Sequence, residues 1–222
     1  IQDHSNIQNS APKKHQAKGV IGKNTLEEKD KKEKNLGPRI VVFDLETQRS
    51  ATEVGGWDNA HLMGMSVGVV WDSHTNKTTT YLENGIESLI SHLQAADLIV
   101  GFNVISFDYS VLRGYSQFDF KTINTLDILR CIHQRLNYRV SLDAVGKATL
   151  NISKTDDGLM ALKWFREGKI HLIEKYCQKD VELTRDLFYF ALKEGYLLFD
   201  RKNEGRMRIM MDWDIEKLIL KP

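Results

Sequence analysis

Cysteine is nearly absent from this chain: Cys131 and Cys177 are the only two in 222 residues. That excludes a disulfide framework and the paired-cysteine spacings of structural zinc sites, and it suits a reducing interior. No apolar run approaches the length of a membrane span, no signal peptide precedes the first hydrophobic stretch, and no internal repeat is visible. Charge of one sign is lacking too. The 31 Lys and Arg against 30 Asp and Glu leave a net charge of +1, so no global basic field marks the chain as a general polyanion binder. The absences point to a cytoplasmic protein that makes no use of a membrane. An initiating methionine is also missing at Ile1, which suggests a processed or excerpted segment of a larger architecture.

What is present fits one enzyme domain with an appended tail. A hydrophobic content of 41% with 27% charged residues supplies a full core at this length. The charge is unevenly placed: residues 1–38 carry a net +3 and the remainder a net −2. That opening segment, with its run Glu27-Glu-Lys-Asp-Lys-Lys-Glu-Lys34, holds too few apolar residues to pack and reads as a disordered arm or linker. The expected organisation is therefore an arm over 1–38, a catalytic domain over 39–200 and a hairpin extension over 201–222.

Three acidic motifs carry the chemistry. Phe43-Asp44-Leu45-Glu46-Thr47 follows the apolar run Arg39 to Phe43, which reads as a buried strand. Alternation along that strand puts Asp44 and Glu46 on one face at its exposed end. Asn103-Val-Ile-Ser-Phe107-Asp108 follows a second apolar run, Leu98 to Phe102, and opens a helical pattern. Asp108 then stands beside a strand end, where open α/β sheets place their ligands. Tyr176-Cys-Gln-Lys-Asp180 lies inside a long amphipathic segment from Ile170 to about Leu192, and the i, i+4 spacing sets Tyr176 and Asp180 on one helix face. Four converging carboxylates repel one another unless cations intervene. Hard oxygen donors favour Mg²⁺ or Mn²⁺, and two such ions suit displacement at a phosphodiester.

These residues resemble the three exonuclease motifs of the DEDD superfamily of 3′–5′ exonucleases, whose fold is ribonuclease-H-like, and most resemble the proofreading domain of family B DNA polymerases. The stretch Ser141 to Lys147, with Lys154 beyond it, resembles the helix between that family's second and third motifs, and the likeness runs from about Arg39 to Phe199. It implies an α/β fold with a mixed central sheet flanked by helices, here with a disordered N-terminal arm and a C-terminal β-hairpin. It implies that Asp44, Glu46 and Asp180 hold one of two divalent cations, Mg²⁺ or Mn²⁺, and that Asp108 shares the second with Asp44. Tyr176, four positions before Asp180, marks the tyrosine branch and orients the attacking water; a phenol is protonated at neutral pH and is no strong base. Leu45, Thr47, Asn103 and Phe107 are the implied substrate contacts. The resemblance implies a nucleic-acid substrate with a free 3′ end, single-stranded, DNA ahead of RNA, and the chain is expected either to serve a separate polymerase or helicase or to act as a freestanding trimming enzyme.

Each motif also has a plain reading: a solvated strand end, a helix N-cap at Asp108, a surface i, i+4 pair. The ordered set outweighs them. Asp127 is the competing acid, read here as structural. Two other functions stay open: an inactive nucleic-acid-binding or scaffolding domain, against which all the carboxylates are intact, and an internally cutting endonuclease on the same fold, against which the Tyr-x-x-x-Asp helix argues. The remaining elements expected are strands at Leu62 to Trp71 and Thr78 to Leu82, helices at 86–96, 129–137, 142–150, 158–167 and 170–193, and a hairpin of 196–200 with 206–213. Its Met207, Ile209 and Met211 alternation would cover the core or meet a partner.

Overall fold

Strand β1 (Ile40–Thr47) is the centre of a five-stranded sheet of order β3-β2-β1-β4-β5. The structure, a computed structural model, describes residues 37–152, 158–201 and 204–220. Ile40 to Phe43 are apolar at every position, so β1 must be covered on both faces, as only an interior strand is. β2 (Met65–Asp72) pairs with it antiparallel and is buried throughout. β3 (Lys77–Leu82), on the edge, is largely exposed, and its lysine and threonines keep that edge polar. On the other side β4 (Leu98–Gly101) and β5 (Thr125–Asp127) run parallel to β1 and to each other, with helix α1 (Ile86–Gln94) in the crossover. This is the mixed central sheet that the family resemblance implied.

Period-two alternation divides β1 between two cores. Val41, Phe43 and Leu45 face one with α1 residues Leu89 and Leu93 and with Leu112 of α2 (Asp108–Leu112). Ile40 and Val42 face the other. That second side is covered by the 25-residue helix α6 (Ile170–Glu194), which buries Ile173, Cys177, Val181, Leu187 and Phe188. With Thr184 between Val181 and Leu187, the buried positions recur every three to four residues and form one stripe along α6. Truncating Phe188, fully buried at its centre, would cost about 3–5 kcal/mol.

Helix α3 (Ile128–Leu136) follows β5 directly, and α4 (Leu142–Leu150) is capped by Ser141, whose hydroxyl accepts the Ala144 amide at 3.1 Å. A Cβ at Gly146 would stand 2.8 Å from Leu183 Cδ2, so the missing side chain is what lets α4 press onto α6.

The chain closes with β6 (Tyr196–Arg201), β7 (Gly205–Met210) and a short helix α7 (Ile215–Ile219). Leu197, Ile209, Met211 and Leu218 join the core beneath α6; Met207 is only partly buried and Met210 is exposed. The hairpin thus covers the core. Its second arm stops at Met210 rather than Trp213, because Trp213 turns in to pack 5.9 Å from Phe188 and Asp214 caps α7, a helix not anticipated. The strand expected from Leu62 begins at Met65, since Trp57–Leu62 form a 3-10 helix. The arm expected over 1–38 falls almost wholly outside the described residues, as does Lys154. Among the described residues, no helix is long and apolar enough to cross a membrane.

Candidate active site

Asp44 and Glu46 continue the β1 face that Ile40 and Val42 begin, so they meet α6 where its apolar stripe gives way to Tyr176 and Asp180. One carboxylate oxygen from each of Asp44, Glu46 and Asp180 lies within 4.8 Å of the others. The β1–β2 register shifts between Glu46 and Thr47, a local irregularity of the kind that re-aims side chains at sites. Tyr176, one turn before Asp180, is buried, with its ring edge-on to Trp164 of α5 (Gly158–Arg166) at 6.3 Å.

Asp108 stands outside that group of three. It is the first residue of α2, 2% exposed, and its Oδ1 accepts the Leu45 amide at 3.0 Å. Burial, and then the charge of Asp44, push its carboxyl well above the ordinary carboxylate range. The N-cap position is held by Phe107, and Asp108 is the first residue inside the helix, so the N-cap reading of Asp108 gives way to a strand-to-helix bridge through the Leu45 amide. Asp127 is the cap instead: its carboxylate accepts the amides of Asn103 (2.9 Å), Ile105 (3.1 Å) and Arg130 (3.1 Å). Three backbone donors hold Asp127 as scaffold, fixing the Asn103 loop against the start of α3.

Thr47, Asn103 and Phe107 line a cleft of about 500 Å³ that opens from Glu46 and is also walled by Trp57 and Leu159. Leu45 does not line it. Its side chain, 3% exposed, alternates into the opposite core, and its link to the site is the amide it gives to Asp108. Asn103 adopts φ +74°, held there by the Asp127 bond and by Arg139, whose Nη2 donates to Asn103 Oδ1 at 2.7 Å.

Sequence reasoning passed over three residues here. Cys177 donates through Sγ to the backbone oxygen and Oδ2 of Asp44, both at 3.4 Å; its spacing of three before Asp180 put it on the same helix face and was signal enough. Trp57 follows the turn-forming Gly55-Gly56 pair. Arg139 had no local signal, since it reaches Asn103 across 36 residues of chain.

The donor set fits divalent cations. Like charges no more than 4.8 Å apart repel by at least about 1 kcal/mol in water and about 3–4 kcal/mol at a partly buried effective dielectric. Carboxylate oxygens are also the hard donors that Mg²⁺ and Mn²⁺ prefer.

Comparison with known proteins bears on the same stretch. A structure of the family B DNA polymerase from the hyperthermophilic archaeon Pyrobaculum calidifontis is similar to this chain with a TM-score of 0.53 at 14% identity, over 70% of this chain and 24% of the polymerase. The chain therefore spans about a quarter of that protein's length, and the likeness is one of fold. Comparison with curated proteins gave no match. The family model of the RNase_H superfamily, RNase_H_2, matches residues 41–191, from the core of β1 through the acidic face of α6, and the chain belongs to the RNase_H superfamily.

Proposed function

We propose that this chain is a metal-dependent 3′–5′ exonuclease that hydrolyses phosphodiester bonds at the 3′ end of a single-stranded nucleic acid, DNA in preference to RNA. The observation that carries this is the convergence of Asp44, Glu46 and Asp180, from a strand and a helix far apart in sequence, to within 4.8 Å. Asp44, Glu46 and Asp180 would hold one divalent cation, and Asp108, whose carboxyl is raised by burial and by the charge of Asp44, would share a second with Asp44. When bound, Mg²⁺ or Mn²⁺ supplies Lewis acidity to water and to the phosphate oxygens.

The chain's own residues do the rest. Tyr176 donates its hydroxyl proton in a hydrogen bond to the attacking water and orients it. Asp108, fixed by the Leu45 amide, keeps its place without a mobile side chain, and burial on the opposite face makes Leu45 a positioning residue. Thr47, Asn103 and Phe107 line the cleft that receives the terminal nucleotide. Trimming of this kind serves a polymerase or helicase, the partner class we assign.

The test is digestion of 3′- and 5′-labelled single-stranded and duplex DNA and RNA with Mg²⁺, Mn²⁺ or EDTA. The expected result is stepwise shortening of single-stranded DNA from the 3′ end, lost in EDTA and in Asp44→Ala and Asp180→Ala proteins that still fold. Undiminished cleavage by Asp44→Ala, or internal cuts, would overturn the assignment.

A further inference from the structure

The cleft beside Glu46 does not end at Phe107. Contiguous with it at Asn103 is a cavity of about 350 Å³ bounded by Trp57, Phe107 and Arg139. Beyond that lies one of about 180 Å³ between Asn103, Arg130, His133 and Arg139. Along this track Glu46 stands at one end, Trp57 and Phe107 line the middle, and Arg139 and Arg130 line the far end, with Arg49 also in the wall of the first cleft and Asp127 in that of the last.

Trp57 is the feature that core packing does not explain. It is 72% exposed and is anchored only at its edge among ring contacts, T-shaped to Phe107 with centroids 5.9 Å apart and planes at 69°. Gly56 precedes it at φ +127°, a backbone conformation suited to glycine, and this turn stands the indole at the start of its 3-10 helix over the cleft. An indole so placed leaves its ring face open to a flat partner. Arg139 on the far wall is held by its bond to Asn103, so a cation and a ring face the same space.

We infer that Trp57 stacks on the base of the penultimate nucleotide of a single strand whose 3′ end lies at the carboxylates, while Arg139 and Arg130 take the phosphates behind it. This rests on the nuclease function proposed above. Aromatic platforms interleaved with basic groups are how a single strand is held without reading its sequence, because every base has a π face and every step a phosphate. The charge order fits as well. At the far end the two guanidinium groups of Arg130 and Arg139 outnumber Asp127, whose oxygens are taken by three backbone amides, so phosphates are drawn there and away from the acidic cluster except where cations intervene.

The experiment measures binding in EDTA and cleavage in Mn²⁺ for wild type, Trp57→Ala and Trp57→Phe, using oligothymidylate, oligouridylate and an oligothymidylate with an abasic penultimate position. Trp57→Ala should weaken binding of the intact oligomers about tenfold or more, with Trp57→Phe losing much less. The loss should appear in KM with kcat nearly unchanged. Wild type should prefer the intact to the abasic oligomer, and Trp57→Ala should bind the two alike. Arg139→Gln should weaken both equally and reduce the salt dependence. Wild-type affinity and wild-type abasic discrimination in Trp57→Ala, with cleavage intact, would overturn the stacking role alone and leave the ring as a protein contact. Wild type that neither binds nor cuts any oligomer would overturn the nuclease function and the stacking role together. Because the indole is exposed, thermal melting of Trp57→Ala should match wild type, which separates lost contact from lost fold.

Discussion

Cys177 Sγ lies 3.4 Å from both the backbone oxygen and Oδ2 of Asp44, so the thiol sits under the acidic cluster rather than beside it. Burial, and then the charges of Asp44, Glu46 and Asp180, push the thiol well above its ordinary range, and a protonated buried thiol is a poor nucleophile. In the native protein the half-buried Cys131 should react with a thiol-specific reagent well before Cys177, which should become reactive only on unfolding. Cys177→Ala should cost about 1 kcal/mol in stability through a lost weak bond and a small cavity. Rapid native labelling at Cys177, read by mass spectrometry, would contradict the packing of α6 on β1.

Asp108 should make stability fall with pH when chelator is present. Its folded-state carboxyl is raised by burial and by Asp44, so above the unfolded value near 4 the folded protein keeps a proton that the unfolded chain has lost. Stability is then greatest at low pH with respect to this group and is lost as pH rises toward the folded value. Asp108→Asn keeps an oxygen to accept the Leu45 amide and removes the ionisation. In EDTA it should melt above wild type at neutral pH and lose the descending slope; a large destabilisation would mean that the anion itself is structural.

Asp72, at the opposite end of β1 from the acidic cluster, should act with the reverse sign. Burial alone would raise its carboxyl, yet hydrogen bonds from Arg39, His92 and the His74 amide bring it down to about 2. The folded protein stays ionised where the unfolded chain protonates. This contribution, on the order of 1–2 kcal/mol, is full above about pH 4 and disappears toward pH 2. Denaturant unfolding at stepped pH should show that loss in wild type and a flatter profile for Asp72→Asn.

Tyr176→Phe tests the hydrogen bond to water. Loss of one oriented donor should lower the single-turnover rate by about one to two orders of magnitude, with substrate affinity and the shape of the pH profile unchanged, while the ring retains its contact with Trp164. Asp180→Ala should be far worse. An ionisation that vanishes with the phenol would make Tyr176 a proton-transfer group.

What the sequence determined by itself was local. Alternation in Ile40 to Thr47 put Asp44 and Glu46 on one face, and the i, i+4 pair Tyr176 and Asp180 fell on the buried side of one long helix, because strand and helix periods are properties of short stretches. The mixed sheet was implied by the resemblance that the three acidic motifs carry, not by any one segment's period. Tertiary structure alone decided how those pieces met. The sequence already set Asp127 apart from Asp108 as a structural acid, but only tertiary structure supplied the partners: Asp108 bridges to Leu45 across 63 residues, and Asp127 spends its oxygens on backbone amides. The same holds for the burial of Ile209, Met211 and Leu218 under α6, for the reach of Arg139 to Asn103, and for the exposure of Trp57. Each depends on which distant segment occupies the neighbouring space, and that is set by how the packed sheet and helices exclude water, not by the pattern of any one segment.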